Sequence, residues 1–452
     1  MPTTVGLRTG TLGSSTSEFV AGSDEGASRP HVLARLRAGD ARTGITSTEG
    51  IDIAEGARLA LNRRVPFVLA IEAFGPSVDE GIAALDGWGR AARAMVDCSG
   101  VVPTIAVVTG PVVAGPALLL GLVDFVITLD ESYTFVGGPR MVTEYTGVPI
   151  DATELGGPQV HDRTSGLASF CVGDLNEAFA LIDDLLSYLP SSADSTADDL
   201  ATNDPSDRSL DSVFDILPDT PTGSYDVRDV IAEVVDDGLI LEPKSAWAAN
   251  LVTAFATVGG MPVGVVANQP QTVAGTLDIA ASQKGGRFVG LCDAFNLPLL
   301  TFVDTSGFYP GKDLEWRGMI RYGAQLAFAY SRATVPRVAV TLRKSYGGAY
   351  IVMDSKHIGN DLSFAWPSAE IAVMGAKGAV EILHRRADDE ERAALQADYE
   401  DRLLNPYIAA ERGSIEAVID PADTRRQVVE AFEILRNKRE RLPRRRHDNL
   451  PL

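Results

Sequence analysis

The sequence predicts an α/β protein made of two tandem domains, each organised around a parallel sheet. In both halves, short apolar runs rich in Val and Ile follow a proline, which is typical of buried parallel strands. Helical stretches lie between these runs, and the alternation favours strands joined by right-handed crossovers. The runs occur in the same order in the two halves, which indicates an internal duplication.

Two pairs of predicted strands show the duplication. Residues 65–72 (VPFVLAIE) match residues 297–304 (LPLLTFVD) at an offset of 232. Residues 102–108 (VPTIAVV) match residues 335–341 (VPRVAVT) at an offset of 233. A change of one residue in the offset over so long a stretch argues for a common origin of the two halves. Predicted helices follow the first strand of each half, at residues 79–96 and 316–330.

Composition sets the expected domain boundaries. Residues 1–30 are rich in Gly, Ser and Thr and contain no apolar targeting segment, so we expect a mobile tail. Residues 191–224 combine many aspartates with little apolar periodicity, which is typical of a solvated acidic linker. The first domain is therefore expected at residues 31–190, as a shortened domain, and the second is expected at residues 225–452.

Charge and cysteine usage argue against several classes of protein. The 61 Asp and Glu residues against 40 Lys and Arg give a net charge of −21, which disfavours nucleic acid as a partner. The uncharged residues 101–123 are long enough to span a membrane, but their Gly and Pro residues favour a buried strand, a turn and a buried helix. Three separated cysteines without a CxxC pair favour a reducing cytoplasm.

Side chains that commonly carry out catalysis are scarce. The five histidines do not occur at metal-ligand spacing, so we expect no metal. A G-x-S-x-G elbow, a Walker A sequence and G-x-G-x-x-G are all absent, which disfavours a hydrolase of that kind and nucleotide sites. Residues 345–350 (SYGGAY) stand out because they follow a predicted strand. Paired glycines let a ligand approach the main chain, and the N–H groups of a helix start favour negative charge, as in an oxyanion hole.

Sequence motifs resemble one enzyme family. Those of the second half are ANQP at 267–270, AGTLD at 274–278, DTSGFYPG at 304–311, RKSYGGAYIVM at 343–353, FAWP at 364–367 and AVMGAKGA at 372–379. The first half contributes LGGxxxHxxxSG at residues 155–166. Over residues 45–452 the chain resembles the carboxyltransferase (β) subunits of biotin-dependent acyl-CoA carboxylases, of the acetyl-/propionyl-CoA carboxylase type.

The resemblance implies a fold, a reaction and partners. Each half is expected to be a crotonase-like (ClpP/crotonase) domain, and the chain a homo-oligomer of dimer units, as in a ring-shaped hexamer. Active sites would form where one chain's first domain meets another chain's second domain. Biotin, as carboxybiotin on a biotin carboxylase/biotin carboxyl carrier subunit, would supply CO2 to the enolate of a coenzyme A thioester. Release of CO2 from carboxybiotin leaves a biotin enolate. The biotin enolate and the thioester enolate would each need an oxyanion hole.

The resemblance also implies roles for individual residues. The N–H groups of Gly348 and Ala349 would hold the biotin carbonyl, and the matching turn of the first half would hold the thioester carbonyl. Ile351 stands where many propionyl-preferring relatives have Asp, which favours acetyl-CoA or mixed short acyl-CoA substrates. Six further residues would line the biotin and acyl-CoA pocket: Tyr346, Gly347, Gly307, Phe308, Pro310 and Gly311.

The first half departs from the family pattern at two motifs. Ser77 replaces an Arg of the family, which removes a cation that would meet a phosphate or carboxylate. The turn sequence GPxAGGA of the family is here GPVVAGPA at residues 110–117. At the offset of 233, Gly348 and Ala349 correspond to Gly115 and Pro116, and proline has no N–H. If the glycine pair of the family supplies the donors instead, Ala114 and Gly115 provide both.

Three functions therefore stay open from the sequence. The first is an active carboxyltransferase with a remodelled acyl-CoA site. The second is a non-catalytic or assembly subunit whose first domain is silent. The third is a decarboxylase of malonyl- or methylmalonyl-CoA.

Overall fold

The computed structural model describes residues 4–5, 15–20, 29–37, 44–218, 220, 223–444, 449 and 451. The chain divides into two compact units, here called the first unit and the second unit. The first unit comprises Met1–Asp198 with Ala294–Asn296, and the second comprises Asp199–Asp293 with Leu297–Leu452. Each unit contains one sheet, which confirms the prediction of an α/β protein with two domains.

The first unit is built on an eight-stranded sheet in the order β1-β2-β3-β4-β5-β6-β8, and β7 pairs with the end of β5. The strands are β1 Thr4–Val5, β2 Ser15–Val20, β3 His31–Leu36, β4 Phe67–Ala73, β5 Thr104–Val113, β6 Phe125–Leu129, β7 Tyr133–Phe135 and β8 Phe170–Val172. Strands β3, β4, β5, β6 and β8 run parallel. The helices are α1 Ser47–Arg63, α2 Ile82–Cys98, α3 Pro139–Thr146, α4 Ala152–Gly156, α5 Pro158–Val160 and α6 Leu175–Tyr188.

The second unit repeats this plan in a seven-stranded sheet, ordered β15-β13-β12-β11-β10-β9, with β14 pairing the end of β12. The strands are β9 Leu251–Val258, β10 Met261–Asn268, β11 Leu299–Thr305, β12 Arg337–Tyr346, β13 Leu362–Ala365, β14 Glu370–Ala372 and β15 Ala417–Val418. The helices are α7 Val213–Ile216, α8 Val227–Val234, α9 Ile279–Ala294, α10 Lys312–Trp316, α11 Met319–Arg332, α12 Gly347–Val352, α13 Ala376–Leu383, α14 Asp389–Tyr399, α15 Pro406–Glu411 and α16 Thr424–Leu435.

The four strands expected from the duplication are confirmed as β4, β5, β11 and β12. Both faces of these strands are covered, which is why their sequences are nearly continuous apolar runs. The uncharged residues 101–123 form β5 and the 3-10 helix Gly115–Leu122, as expected. Across the described residues, the structure contains no helix with the length and apolar character needed to cross a membrane.

Helices α1 and α2 pack against one face of the first sheet and cross each other closely. A Cβ on Gly50 would lie 2.2 Å from the carbonyl carbon of Gly87, and a Cβ on Gly87 would lie 2.6 Å from Cα of Ser47. Only glycine at both positions allows this approach. It sets the depth of α2 in the unit and therefore the position of the residue that follows Gly87.

Two regions differ from the expected boundaries. Residues Ser15–Val20, expected in a mobile tail, pair antiparallel with His31–Leu36; most other residues of that tail lie outside the described residues. In the expected acidic linker, Leu210 and Val213 are fully buried in the core of the second unit. The segment is therefore packed there rather than solvated, because two apolar residues among the aspartates anchor it.

Candidate active site

Strands β5 and β12 end in the same arrangement. A short strand pairs with the carboxyl end of each, β7 with β5 and β14 with β12. Val113 lies opposite Phe135 in the first unit, and Tyr346 lies opposite Ala372 in the second. The two strands therefore correspond at the offset of 233 through to their last residues.

A residue with left-handed backbone φ follows each strand. Ala114 has φ 58° and ψ −139°, and Gly347 has φ 59°. This region favours glycine, and a non-glycine residue held there costs about 1–3 kcal/mol. The match aligns Gly115 with Gly348 and Pro116 with Ala349. The structure thereby decides between the two registers that the sequence left open.

The second unit presents two N–H groups at its turn. Gly348 and Ala349 lie in the first turn of α12, where N–H groups have no acceptor within the helix. Neither has an acceptor elsewhere in the described part of the chain. A Cβ on Gly347 would lie 3.1 Å from the carbonyl oxygen of Val373, and φ is 59°, so the turn favours glycine there. Two adjacent free donors can hold an oxygen that carries negative charge.

The first unit presents one N–H group at the equivalent turn. The N–H of Ala114 donates to the carbonyl oxygen of Phe135 at 2.9 Å, so it is not free for a ligand. This removes Ala114 from the predicted donors. Pro116 has no N–H. The N–H of Gly115 is the main-chain donor that remains, and its place as a candidate catalytic group stays a prediction.

A buried polar network braces the turn of the second unit. The guanidinium of Arg343 donates to Asp304 Oδ2 at 2.8 Å, and the hydroxyl of Tyr225 donates to the same oxygen at 2.9 Å. The N–H of Lys344 donates to Oδ1 of Asp304 at 3.2 Å. Burial, together with the charge of Asp304, raises the pKa of Tyr225 well above its usual value. The network joins the end of β11 to the end of β12, and sequence reasoning did not identify Tyr225.

The first unit lacks this brace. Glu72 and Gly110 occupy the positions of Asp304 and Arg343, and a Cβ on Gly110 would lie 2.8 Å from the carboxyl carbon of Glu72. A cavity of about 410 Å³ opens at this place, and its lining includes Glu72, Thr109 and two arginines. Burial raises the pKa of the Glu72 carboxyl above 4.5, and the charge of Arg37 acts in the opposite direction.

The loop after β11 brings one predicted pocket residue to the turn. A ring carbon of Phe308 lies 3.5 Å from the place where a Cβ on Gly348 would stand. The loop is fixed because the N–H of Leu277 donates to Gly307 and the N–H of Tyr309 donates to Leu277. The two other predicted loop residues, Pro310 and Gly311, lie just before α10, and Gly311 is its N-cap.

Two further predicted residues flank the turn of the second unit. Tyr346 ends β12 and donates its hydroxyl to Glu370, and burial raises the pKa of this phenol far above its usual value. Ile351 lies in α12 and is 37% exposed, while its counterpart Leu118 is 53% exposed. Both units therefore present an aliphatic side chain just beyond the turn.

Within the described residues, no group of three or more His, Cys, Asp or Glu residues could hold a metal ion.

Comparisons with known proteins identify the family. The family model described as carboxyl transferase domain matches residues 38–450. The chain is 43% identical over 413 residues to the propionyl-CoA carboxylase beta chain of Saccharopolyspora erythraea, covering 87% of this chain and 76% of the relative. The chain belongs to the carboxyltransferase (β) subunits of biotin-dependent acyl-CoA carboxylases. It is therefore an enzyme subunit that uses carboxybiotin and a coenzyme A thioester.

Two more relatives bear on its structure and reaction. The methylmalonyl-CoA decarboxylase subunit alpha of Veillonella parvula is 41% identical over 396 residues, covering 87% of this chain and 77% of the relative. A solved transcarboxylase 12S hexamer, with methylmalonyl-coenzyme A and methylmalonic acid bound, superposes with a TM-score of 0.92 at 41% identity. The match covers 96% of this chain and 85% of that chain. The two-domain crotonase-like fold expected from the resemblance is thereby confirmed.

Proposed function

We propose that the chain moves a carboxyl group from carboxybiotin to the α-carbon of a short acyl-CoA, acetyl-CoA or propionyl-CoA. The observation that carries this proposal is the pair of equivalent strand-to-helix turns, one in each unit. At the same register of the duplicated sheet, the turn of the second unit presents two main-chain N–H groups without an internal acceptor, and the turn of the first unit presents one. A reaction with two carbonyl oxygens that gain negative charge needs two such sites.

The turn of the second unit fits the carbonyl of biotin. Gly348 has no side chain and is exposed, so a flat ring system can approach the main chain there. The ring of Phe308 beside it supplies an apolar surface. When bound, carboxybiotin supplies the carboxyl group that is transferred. The N–H groups of Gly348 and Ala349 would stabilise negative charge on the carbonyl oxygen without any change of their own protonation.

The turn of the first unit would hold the thioester carbonyl. Gly115 is the first residue of the 3-10 helix Gly115–Leu122, and the N-terminal end of a helix favours negative charge. Asp304 is unsuited to act as the base. Asp304 is bound by Arg343 and Tyr225 within the second unit. We therefore assign Asp304 a bracing role.

The acyl preference follows from Ile351. Its aliphatic side chain is partly exposed in α12, and it presents apolar surface rather than charge beside the turn. This supports short acyl groups of either length and does not select propionyl-CoA over acetyl-CoA.

The chain is also proposed to act as a homo-oligomer of dimer units, a hexamer like the 12S relative, with a biotin carboxylase/biotin carboxyl carrier subunit as partner. Each unit exposes large apolar side chains that an assembly would cover. In the first unit these include Met141 at 66% and Tyr145 at 92% exposure, and in the second Trp316 at 76% and Ile320 at 85%. Light scattering after gel filtration should give the mass of a dimer multiple.

The reverse half-reaction tests the proposed function without a partner subunit. The chain is mixed with malonyl-CoA or methylmalonyl-CoA, with and without biocytin, and loss of the carboxyl group, which leaves acetyl-CoA or propionyl-CoA, is followed. We expect loss that requires biocytin. The Veillonella relative makes a decarboxylase the second candidate, and loss without biocytin would support it. No loss from a folded oligomer that still binds acyl-CoA would contradict both activities and favour a non-catalytic subunit.

A further inference from the structure

The acyl-CoA turn of the first unit has too few main-chain donors. Pro116 has no N–H, and the N–H of Ala114 is bound to Phe135. Gly115 alone remains, whereas the second unit offers Gly348 and Ala349. Loss of one donor from an oxyanion hole typically lowers kcat by about 10²–10³-fold. A working first unit therefore needs a donor from a side chain.

Trp88 carries a suitable N–H at this turn. Its indole Nε1 lies 3.3 Å from the point where a Cβ on Gly115 would stand. This nitrogen is buried, although the ring as a whole is partly exposed, and it finds no acceptor among the residues that the structure describes. Buried N–H groups are almost always paired in native proteins, so an acceptor supplied by a ligand explains this one.

Local packing fixes the indole in this place. Trp88 follows Gly87, the residue at which α2 approaches α1 so closely that only glycine fits. Two carbon atoms of the ring, Cε2 and Cζ2, lie 3.4 and 3.5 Å from the same point beside Gly115. The edge of the indole thus fills the space that a side chain at position 115 would take. The N–H is held against the turn by the fold of the unit.

The aromatic residue beside the turn differs in the second unit. The aromatic residue beside Gly348 is Phe308, at 3.5 Å, and it has no N–H. Where the main chain offers two donors, the neighbouring ring is apolar. Where proline removes one donor, the neighbouring ring carries a donor of its own.

We propose that the indole N–H of Trp88 is the second hydrogen-bond donor to the thioester carbonyl oxygen, beside the N–H of Gly115, and replaces the donor absent at Pro116. This rests on the proposed function, in which the first unit holds the thioester. It makes Trp88 a catalytic residue of the acyl-CoA site.

The test combines removal and restoration of one donor in the full-length oligomer. Trp88→Phe keeps an aromatic ring and removes the N–H; kcat of the reverse half-reaction should fall about 100-fold, while KM for malonyl-CoA changes little. Pro116→Ala restores a main-chain N–H, so the double variant Trp88→Phe/Pro116→Ala should recover most of the lost kcat. Phe214→Leu, at an exposed aromatic residue of α7 in the second unit, is the control and should leave kcat unchanged.

A second measurement needs no turnover. Infrared spectra of acetyl-CoA labelled with ¹³C at the thioester carbonyl are recorded with each variant, in the absence of biotin. Hydrogen bonds lower the carbonyl frequency, so the shift should be largest for the wild-type chain, smaller for Trp88→Phe and restored in the double variant. Equal frequencies in the wild type and Trp88→Phe, or a loss of kcat that Pro116→Ala does not recover, would overturn the proposal. A wild-type shift that depends on Trp88, without any turnover, would support the donor and contradict the proposed function alone.

Discussion

The two strand-to-helix turns share their backbone and differ in their chemistry. Both follow a strand of the same register, and both begin at a residue with φ near 58°. The second unit places glycine at that residue and two free N–H groups after it. The first unit places Ala114 there and Pro116 two residues later. The two copies have therefore kept the backbone geometry of the turn, while the number of free N–H groups differs between them.

The support beneath the turns differs in the same way. In the second unit, the buried side chains of Arg343 and Tyr225 both donate hydrogen bonds to the carboxylate of Asp304. In the first unit, Glu72 faces a cavity because Gly110 replaces the arginine. The difference teaches that buried hydrogen bonds brace the turn of the second unit, whereas the equivalent place in the first unit is a cavity.

The largest expected effect comes from making the second turn like the first. Ala349→Pro copies Pro116, a residue that the equivalent backbone already accommodates, and removes one of two donors. We expect kcat of the biocytin-dependent half-reaction to fall about 10²–10³-fold. Ala349→Gly keeps the N–H and serves as the control, with a much smaller loss. Equal activity of the proline and glycine variants would show that Ala349 does not bind the reacting oxygen.

The next effect concerns the brace. Asp304→Asn leaves Arg343 buried without a counter-charge, and we expect the free energy of unfolding to fall by about 3 kcal/mol in a denaturant titration. The matched change in the first unit is Glu72→Gln. Because burial raises the pKa of Glu72, its ionised form destabilises the folded chain as the pH rises from 4.5 through the raised pKa. Gln removes that loss, so Glu72→Gln should not be destabilising at neutral pH. Similar destabilisation by both changes would contradict the contrast between the units.

A smaller effect is expected on substrate choice. Ile351→Asp places a carboxylate beside the turn, where many propionyl-preferring relatives have one. The ratio of kcat/KM for propionyl-CoA to that for acetyl-CoA should rise about tenfold, since pocket changes of this size discriminate by that order. Leu118→Asp is the matched change in the first unit. An unchanged ratio for Ile351→Asp would remove Ile351 as the determinant of acyl preference.

The smallest effect concerns backbone strain. Ala114→Gly relieves a positive φ and should raise the free energy of unfolding by about 1 kcal/mol. Gly347→Ala imposes the same strain on the second unit and adds a contact 3.1 Å from the carbonyl oxygen of Val373, so it should destabilise. Thermal unfolding of both variants measures the difference. Stabilisation by Gly347→Ala would show that the two turns are not equivalent.

Much of this comparison could be predicted from the sequence. The proline-led apolar runs predict β4, β5, β11 and β12, because buried parallel strands need continuous apolar residues. Their spacing predicts the equivalence of Gly115 with Gly348. The missing N–H of Pro116 follows directly from its chemistry.

Other features depend on contacts between residues far apart in the chain. The bond from Ala114 to Phe135 requires β7 to pair with β5, and three residues are too few for a strand signal. Tyr225 reaches Asp304 from a segment that composition assigns to a linker boundary. Trp88 reaches Gly115 because Gly50 and Gly87 let two helices touch. No local sequence pattern predicts these contacts, so they can be identified only in the folded units.

The most direct test is a structure of the oligomer with bound acetyl-CoA, determined by electron cryomicroscopy. The account predicts that the thioester oxygen lies within hydrogen-bonding distance of the Gly115 N–H and of Trp88 Nε1, and that the N–H groups of Gly348 and Ala349 stay free for biotin. A thioester oxygen at Gly348, or one that contacts neither Gly115 nor Trp88, would contradict it.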